Sequence, residues 1–535
     1  MTASNVSFRP LTVKFGKTEI TILIPNDIWV SAEQIREDFQ ATYKPTDPTS
    51  EELTVIELAA KFLSYAIENN KKDEHLQLLP VIQVVFSHFR EQYLKSNDVH
   101  AITKNLVHEA RIAVIKAYFE AYVLLNDQGL IEKNIAPKSA LFTATEEKRA
   151  SLFAIFGGQG NIEEYFDELY ENFTIYEGFA RPFIQKVAGL LRNLANDDEA
   201  RIIHTKGLDV LRWLENPESK PDQTYLISAP VSLPLIGLTQ LLHYYIMIKV
   251  LNQTPDQVRK LISGATGHSQ GIISAVAISA SGTEEELIIN SQKALGLLFW
   301  IGTRAHQIYP PTTLAPTILQ DSISNNEGNP TPMLSITGLR KGDVLKHIEA
   351  TNSHLPEERQ IKLTLTNGPR NFVCTGHPQS LYGLNLALRK IKAPTGLDQG
   401  RVPHSERKVK FSSRFLPITA PFHSNYLSAA SELLAQDIEK YDLNFDVKSL
   451  AIPVYSTDSG KDLRESERLN LDLIDQICSL PVQWETATNA VVTHILDFGP
   501  GATSGIGALT HRNKEGTGVR IFLSGALEGG NAERS

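Results

Sequence analysis

The run Gly267-His268-Ser269-Gln270-Gly271 constrains the fold more than any other feature of the chain. Gly-x-Ser-x-Gly suits one local geometry: a strand that turns sharply into a helix and lifts the serine into the open. The glycines permit the cramped backbone. The helix that follows aims its free N–H groups and the positive end of its dipole at the serine, an environment that favours a developing oxyanion. Gly271-Ile272-Ile273-Ser274-Ala275-Val276 makes a plausible start for that helix. A glycine turn around an ordinary serine carries the same letters, so the motif needs partners.

One such partner is a base. His268 is adjacent, but neighbours on such a turn point in different directions, so it reads as a structural or rim histidine. His423, in Ala420-Pro421-Phe422-His423-Ser424, follows a proline turn far along the chain and suits a loop histidine delivered by the fold. Before the serine, Leu152-Phe153-Ala154-Ile155-Phe156 is a short apolar run that stops at Gly157-Gly158-Gln159-Gly160, a buried strand ending in a glycine loop. Late in the chain, Thr493 to Phe498 repeats this texture ahead of Gly499-Pro500-Gly501.

Around these motifs the pattern alternates strand and helix, the signature of an α/β protein. Pro234 to Val250 reads as an apolar central helix and Glu284 to His306 as another. From Pro332 the texture shifts. Met333–Ile336, Ile361–Thr366 and Phe372–Cys374 read as strands, Lys341–Thr351 and Ser380–Ile391 as helices, an order that fits an inserted ferredoxin-like subdomain. The first part differs. A strand pair over Thr12–Ile24 turns at Gly16-Lys17, a capping box is expected at Thr49-Ser50-Glu51-Glu52, and helices follow behind it, after Pro80, and over Val99–Leu125. The expected organisation is a mostly helical assembly region over 1–145, an α/β core over 146–330 and 411–535, and the ferredoxin-like subdomain over 331–410.

At 535 residues the chain is too long for one ordinary core. Its net charge of −9 offers no broad counter-charge to phosphate, so no nucleic-acid partner is expected. Cys374 and Cys478 lack zinc-motif neighbours, and so few cysteines suit a reducing compartment. Leu233 to Val250, the longest apolar stretch, is broken by His243 and Lys249, and Met1-Thr2-Ala3-Ser4-Asn5-Val6 begins no signal peptide. A cytoplasmic protein with no membrane partner and no metal is the expectation.

Four motifs occur in order: Phe156-Gly157-Gly158-Gln159-Gly160, Gly267-His268-Ser269-Gln270-Gly271, Ala420-Pro421-Phe422-His423-Ser424 and Asp497-Phe498-Gly499-Pro500-Gly501. The set resembles the acyl-carrier-protein acyltransferase family. Longer phrases are similar to the N-terminal acetyltransferase region of the fungal fatty acid synthase beta subunit: Asn325-Asn326-Glu327-Gly328, Pro378 to Leu386, Ser405-Glu406-Arg407-Lys408 and Leu509 to Lys514. The resemblance spans nearly the whole chain and implies an α/β-hydrolase-like acyltransferase core. It implies Ser269 as nucleophile and His423 as base, the N–H groups of Gln159 and Gln270 as oxyanion hole, and the Gln483 carbonyl as the group that orients the histidine. No cofactor is held permanently. Acyl-CoA is the donor, and the acceptor is the phosphopantetheine of an acyl carrier protein. The alpha subunit and other beta-subunit domains are the implied assembly partners.

Malonyl-specific members of that family carry an Arg-Gly pair in a helix. Here Ile301-Gly302 stands at that place, so an uncharged cargo, acetyl above all, is expected; Arg304 lies one turn away. Arg401, Arg407, Lys408, Lys410 and Arg414 read equally as a contact for CoA phosphates or the carrier and as a solvated loop. Two other functions stay open: loading of a hexanoyl-type starter for secondary metabolism, and a serine hydrolase. The chain ends soon after its last motif, as either an excised fragment or a stand-alone homologue.

Overall fold

The computed structural model describes residues 7–43, 52–72, 78–95, 97–131, 139–394, 396, 398–501 and 504–523. It divides into two units. The first comprises the chain to Lys138 together with Glu171–Pro182, and the second holds most of the remainder.

In the first unit, β1 (Phe8–Phe15) and β2 (Thr18–Pro25) form an antiparallel hairpin. Gly16 supplies the positive φ of 60° that the two-residue turn requires. The hairpin is followed by helices at Trp29–Thr42, Val55–Lys72, Leu79–Phe89, Val99–Thr103 and His108–Asp127. Thr49, Ser50 and Glu51 of the expected capping box lie outside the described residues. A reciprocal pair does form at Thr54 and Glu57: Thr54 N–H donates to the Glu57 carboxylate (2.7 Å) and Glu57 N–H to Thr54 Oγ1 (3.4 Å). The single helix expected over Val99–Leu125 is two. Leu106 N–H closes a turn on Thr103 O, and Val107 takes an extended conformation before the second helix begins. Aromatic rings fill this core, with Phe39 edge-on to Phe62 and Phe86 against Tyr118.

The second unit is built on two sheets. Its strands are β3 (Leu152–Phe156), β4 (Ile262–Gly267), β5 (Met333–Thr337), β6 (Lys362–Gly368), β7 (Asn371–Thr375), β8 (Ser412–Phe415), β9 (Val482–Gln483), β10 (His494–Asp497) and β11 (Arg520–Leu523). The first sheet runs β11-β10-β3-β4, all parallel. Every residue of β3 is buried, as expected of a strand covered on both faces. Helix Ala229–Val250 is long and apolar enough to cross a membrane by length and composition, yet 94% of its most apolar window is buried inside the unit. It packs along helix Glu284–Ile308.

The second sheet runs β8-β5-β7-β6-β9. Its first four strands are antiparallel and arise from the order strand, helix, strand, strand, helix, strand, the ferredoxin-like arrangement. The insertion extends past residue 410, because β8 at Ser412–Phe415 closes its edge. Strand alternation gives the sheet two faces. Leu334, Ile336, Phe372 and Cys374 join the core beneath helices Lys341–Asn352 and Pro378–Arg389. Met333, Ser335, Asn371 and Val373 point the other way and line a cavity.

Candidate active site

The parallel sheet ends in three loops that meet at one place. β4 turns directly into helix Gly271–Ser279, and Ser269 sits in the turn with φ 55°. A non-glycine residue held there stores strain, a feature concentrated at functional sites. The glycines explain how the turn closes. A Cβ on Gly267 would overlap the backbone of Gly271 and Ile272. One on Gly271 would lie 2.5 Å from the carbonyl oxygens of Phe156 and Gly157. Gly158 lies close to the serine turn as well: a Cβ there would meet His268 O at 3.0 Å and Ser269 Cβ at 3.4 Å. The loop after β3 is thereby laid flush against the serine turn.

Ser269 Oγ lies 2.7 Å from His423 Nε2. His423 Nδ1 is 2.9 Å from the carbonyl oxygen of Leu480. A carbonyl only accepts, so Nδ1 carries the proton and Nε2 turns its lone pair toward the serine hydroxyl. The residue that orients the histidine is therefore Leu480, not Gln483. The reason is a helix end. Helix Leu469–Cys478 leaves its last carbonyls without intrahelical partners. Those of Ile477 and Cys478 accept the N–H groups of His423 (3.1 Å) and Ser424 (2.9 Å), and Leu480 O, just beyond, takes the imidazole. Gln483 lies in β9, paired with Thr366, and its N–H donates to Thr457 O.

Gln159 opens a short helical turn after Gly158, and Gln270 is the N-cap residue of helix Gly271–Ser279. Backbone N–H groups at such positions have no intrahelical acceptor. The two residues flank Ser269 from the first and second glycine loops, so the structure brings Ser269, His423, Gln159 and Gln270 together. His268 has a different task. Its Nε2 is 2.8 Å from Asn367 Oδ1 and its ring meets Trp484 edge-on. It is pinned to the inserted sheet rather than to the serine.

Burial pushes the His423 imidazole down to about 4, against a smaller upward pull from the Leu480 carbonyl. A base must be neutral to accept a proton. Lowering its pKa keeps it neutral across the physiological range, so reactivity is retained as pH falls through 6.5 and lost only near pH 4. We expect kcat/KM to stay flat down to about pH 5 and to fall with an apparent pKa of about 4. A limb near the ordinary histidine value of about 6.5 contradicts this environment.

A cavity of about 210 Å³ opens over Ser269 and His423. Gly157 to Gly160 form one side. Met333, Leu365, Val373, Leu416, Ile418 and Phe422 supply apolar surface, and Asn367, Asn371 and Arg512 supply polar groups. Ile301 is not in this wall. It is fully buried within helix Glu284–Ile308, and its neighbour Gly302 lies against the backbone of Ala229 and Pro230. The surface over the serine comes instead from the inserted sheet, the segment from Leu416 to Phe422 and the 504–512 region, which helical spacing around Ile301 could not reveal. Arg304 is also elsewhere. It forms a two-pronged pair with Asp437, 2.7 Å on each side, and a further bond to Glu199 at 2.7 Å. Arg401, Arg407, Lys408, Lys410 and Arg414 are all exposed and outside the cavity lining. Among the described residues, no cluster of three or more His, Cys, Asp or Glu could hold a metal ion.

Two family models match the chain. Residues 7–125 match the N-terminal domain in fatty acid synthase subunit beta, and residues 154–409 match the starter unit:ACP transacylase in aflatoxin biosynthesis. Over 98% of its length the chain is 44% identical to fatty acid synthase subunit beta of Saccharomyces cerevisiae. Over nearly its whole length the chain is similar to fatty acid synthase beta subunits. It spans 26% of the yeast protein. It is also 37% identical, over 98% of its length, to fatty acid synthase beta subunit TOXC of Cochliobolus carbonum, of which it covers 26%. Over 81% of its length it is 37% identical to fatty acid synthase beta subunit aflB of Emericella nidulans, of which it covers 20%. Among solved structures, the malonyl CoA-acyl carrier protein transacylase of Coxiella burnetii aligns with a TM-score of 0.48 and 16% identity, covering 71% of this chain and 95% of that one.

Proposed function

We propose that this chain is an acyltransferase that moves a short uncharged acyl group, acetyl above all, from coenzyme A to an acyl carrier protein through an ester on Ser269. The observation that carries the proposal is the 2.7 Å contact between Ser269 Oγ and His423 Nε2, with the other imidazole nitrogen held by a backbone carbonyl. No carboxylate is needed in such a Ser-His pair. The histidine is oriented by Leu480 O, and the carbonyl end of the helix favours the imidazolium that forms.

The chemistry follows from the parts. His423 Nε2 takes the hydroxyl proton as Ser269 Oγ attacks the thioester carbonyl. The oxyanion is held by the N–H groups of Gln159 and Gln270. The carbon–sulfur bond breaks, and the thiol of coenzyme A leaves with the proton from His423. A phosphopantetheine thiol then attacks the seryl ester. Its proton passes to His423 and on to Ser269 Oγ as the ester breaks, which completes a ping-pong cycle. Within a complete beta subunit the step would begin fatty acid synthesis, with the alpha subunit as partner.

The cargo reading is supported by Arg304, which Asp437 and Glu199 occupy, and by the apolar wall over the serine. A malonyl carboxylate against the apolar side chains of that wall would lose its water without gaining a partner there, and among the described residues Arg512 is the one cation in the cavity lining. Acetyl-CoA is expected to load the serine at least about tenfold faster than malonyl-CoA. Competitive loading followed by mass spectrometry measures the ratio, and equal or inverted loading removes the acetyl assignment. A second reading, a longer starter acyl chain, is favoured by the match of residues 154–409 to a starter-unit transacylase model. Hexanoyl-CoA in the same competition separates the two.

A further inference from the structure

Helix Ala229–Val250 is nearly all apolar, yet Gln240 sits fully buried in its middle. An amide in such surroundings is costly unless its groups are bonded, and here both ends are in use. Its Nε2 donates to two backbone carbonyls, Gly157 O at 2.6 Å and Gly499 O at 3.0 Å. Its Oε1 accepts from Ser274 Oγ at 2.7 Å. The three partners lie on three separate segments: the loop after β3, the loop after β10, and the helix behind Ser269.

These contacts fall beside the two oxyanion N–H groups. The Gly157 carbonyl belongs to the peptide immediately before the one that carries Gln159 N–H. Ser274 lies one turn into the helix that Gln270 caps. Neighbouring contacts stiffen the same assembly. Gly157 N–H donates to Gly499 O at 2.9 Å, and His243, one turn along from Gln240, lies with Nδ1 3.0 Å from Phe498 O.

We propose that Gln240 is a positioning residue that sets the spacing and direction of the Gln159 and Gln270 N–H groups by tying the loop after β3 to the serine helix. The proposal rests on the acyl-transfer reading for its substrate alone, since any reaction that places negative oxygen at these donors would depend on the same tie. The oxyanion exists only in the transition state, so loosening the tie lowers kcat and spares KM.

The test compares wild type, Gln240→Leu and Ser274→Ala in the full chain with two probes: acetyl-CoA, and a fluorophosphonate that phosphonylates an activated serine through an anionic transition state. For Gln240→Leu both rates, per folded molecule, are expected to fall about 100-fold, the cost of a lost oxyanion donor, while KM for acetyl-CoA stays within about threefold. The acid limb near pH 4 should not move, because His423 is untouched. Ser274→Ala removes one hydroxyl from a helix and keeps the Nε2 bonds; a loss of about tenfold in kcat is expected. Wild-type rates with both probes in Gln240→Leu, or in Ser274→Ala if the first variant does not fold, overturn the proposal. Wild type that is phosphonylated at Ser269 but never acylated, with slower phosphonylation in Gln240→Leu, instead removes the acyl-transfer reading and leaves the positioning role standing.

Discussion

Ser269→Ala is expected to abolish covalent loading by acyl-CoA and to lower acyl transfer by about 10⁴-fold or more. The fold should tolerate the change. Ser269 Oγ makes its hydrogen bond to His423, and the turn is shaped by Gly267 and Gly271 rather than by the serine side chain. Any residual rate would come from the Gln159 and Gln270 donors acting on bound thioester. Steady-state transfer to a carrier protein, alongside intact-mass measurement, reads both consequences. Transfer within tenfold of wild type would mean that the acyl group does not pass through this oxygen.

His423→Ala is expected to lower transfer by a similar factor of about 10⁴ and to remove the acid limb near pH 4. The two substitutions should not multiply, because the hydroxyl and the imidazole act as one unit; the double variant should be about as slow as either single one. His423 also holds a positive φ of 61°, and its N–H is tied to Ile477 O. Gln is therefore a useful second replacement, since it keeps hydrogen-bonding capacity near Leu480 while removing the base. A His423→Gln variant with near wild-type turnover would assign the base elsewhere. His268 is a poor candidate for that role, because its Nε2 is bonded to Asn367 and its ring is held against Trp484 rather than Ser269.

The sequence displayed the Ser269–His423 pair because the geometry that joins them leaves local marks. A serine on a forced turn needs glycines at fixed offsets, and Gly267 and Gly271 are where the backbone would otherwise collide. The insertion was equally legible, because strand alternation separates Leu334 and Ile336 from Met333 and Ser335. What stayed hidden was set by contacts distant in the chain. Which carbonyl reaches His423 depends on where helix Leu469–Cys478 ends against the 423–424 segment, so Gln483 stood in for Leu480. Which side chains roof the serine depends on how the inserted sheet folds over it, so Ile301 stood in for that wall. The break in the 99–125 helical pattern came from an extended Val107, a residue that helical periodicity accommodates without complaint. Gln240 had a signal that passed unused: a lone amide in an apolar helix, together with His243 one turn away, marks a face that must meet polar backbone.

The most direct measurement is intact-mass spectrometry of the protein after brief exposure to acetyl-CoA, followed by peptide mapping. The expected result is a gain of one acetyl group, located on the peptide containing Ser269, discharged on addition of a phosphopantetheine-bearing carrier protein and absent from Ser269→Ala. A chain that acquires no acyl group from acetyl-CoA or any other acyl-CoA, or acquires one equally well in Ser269→Ala, contradicts it.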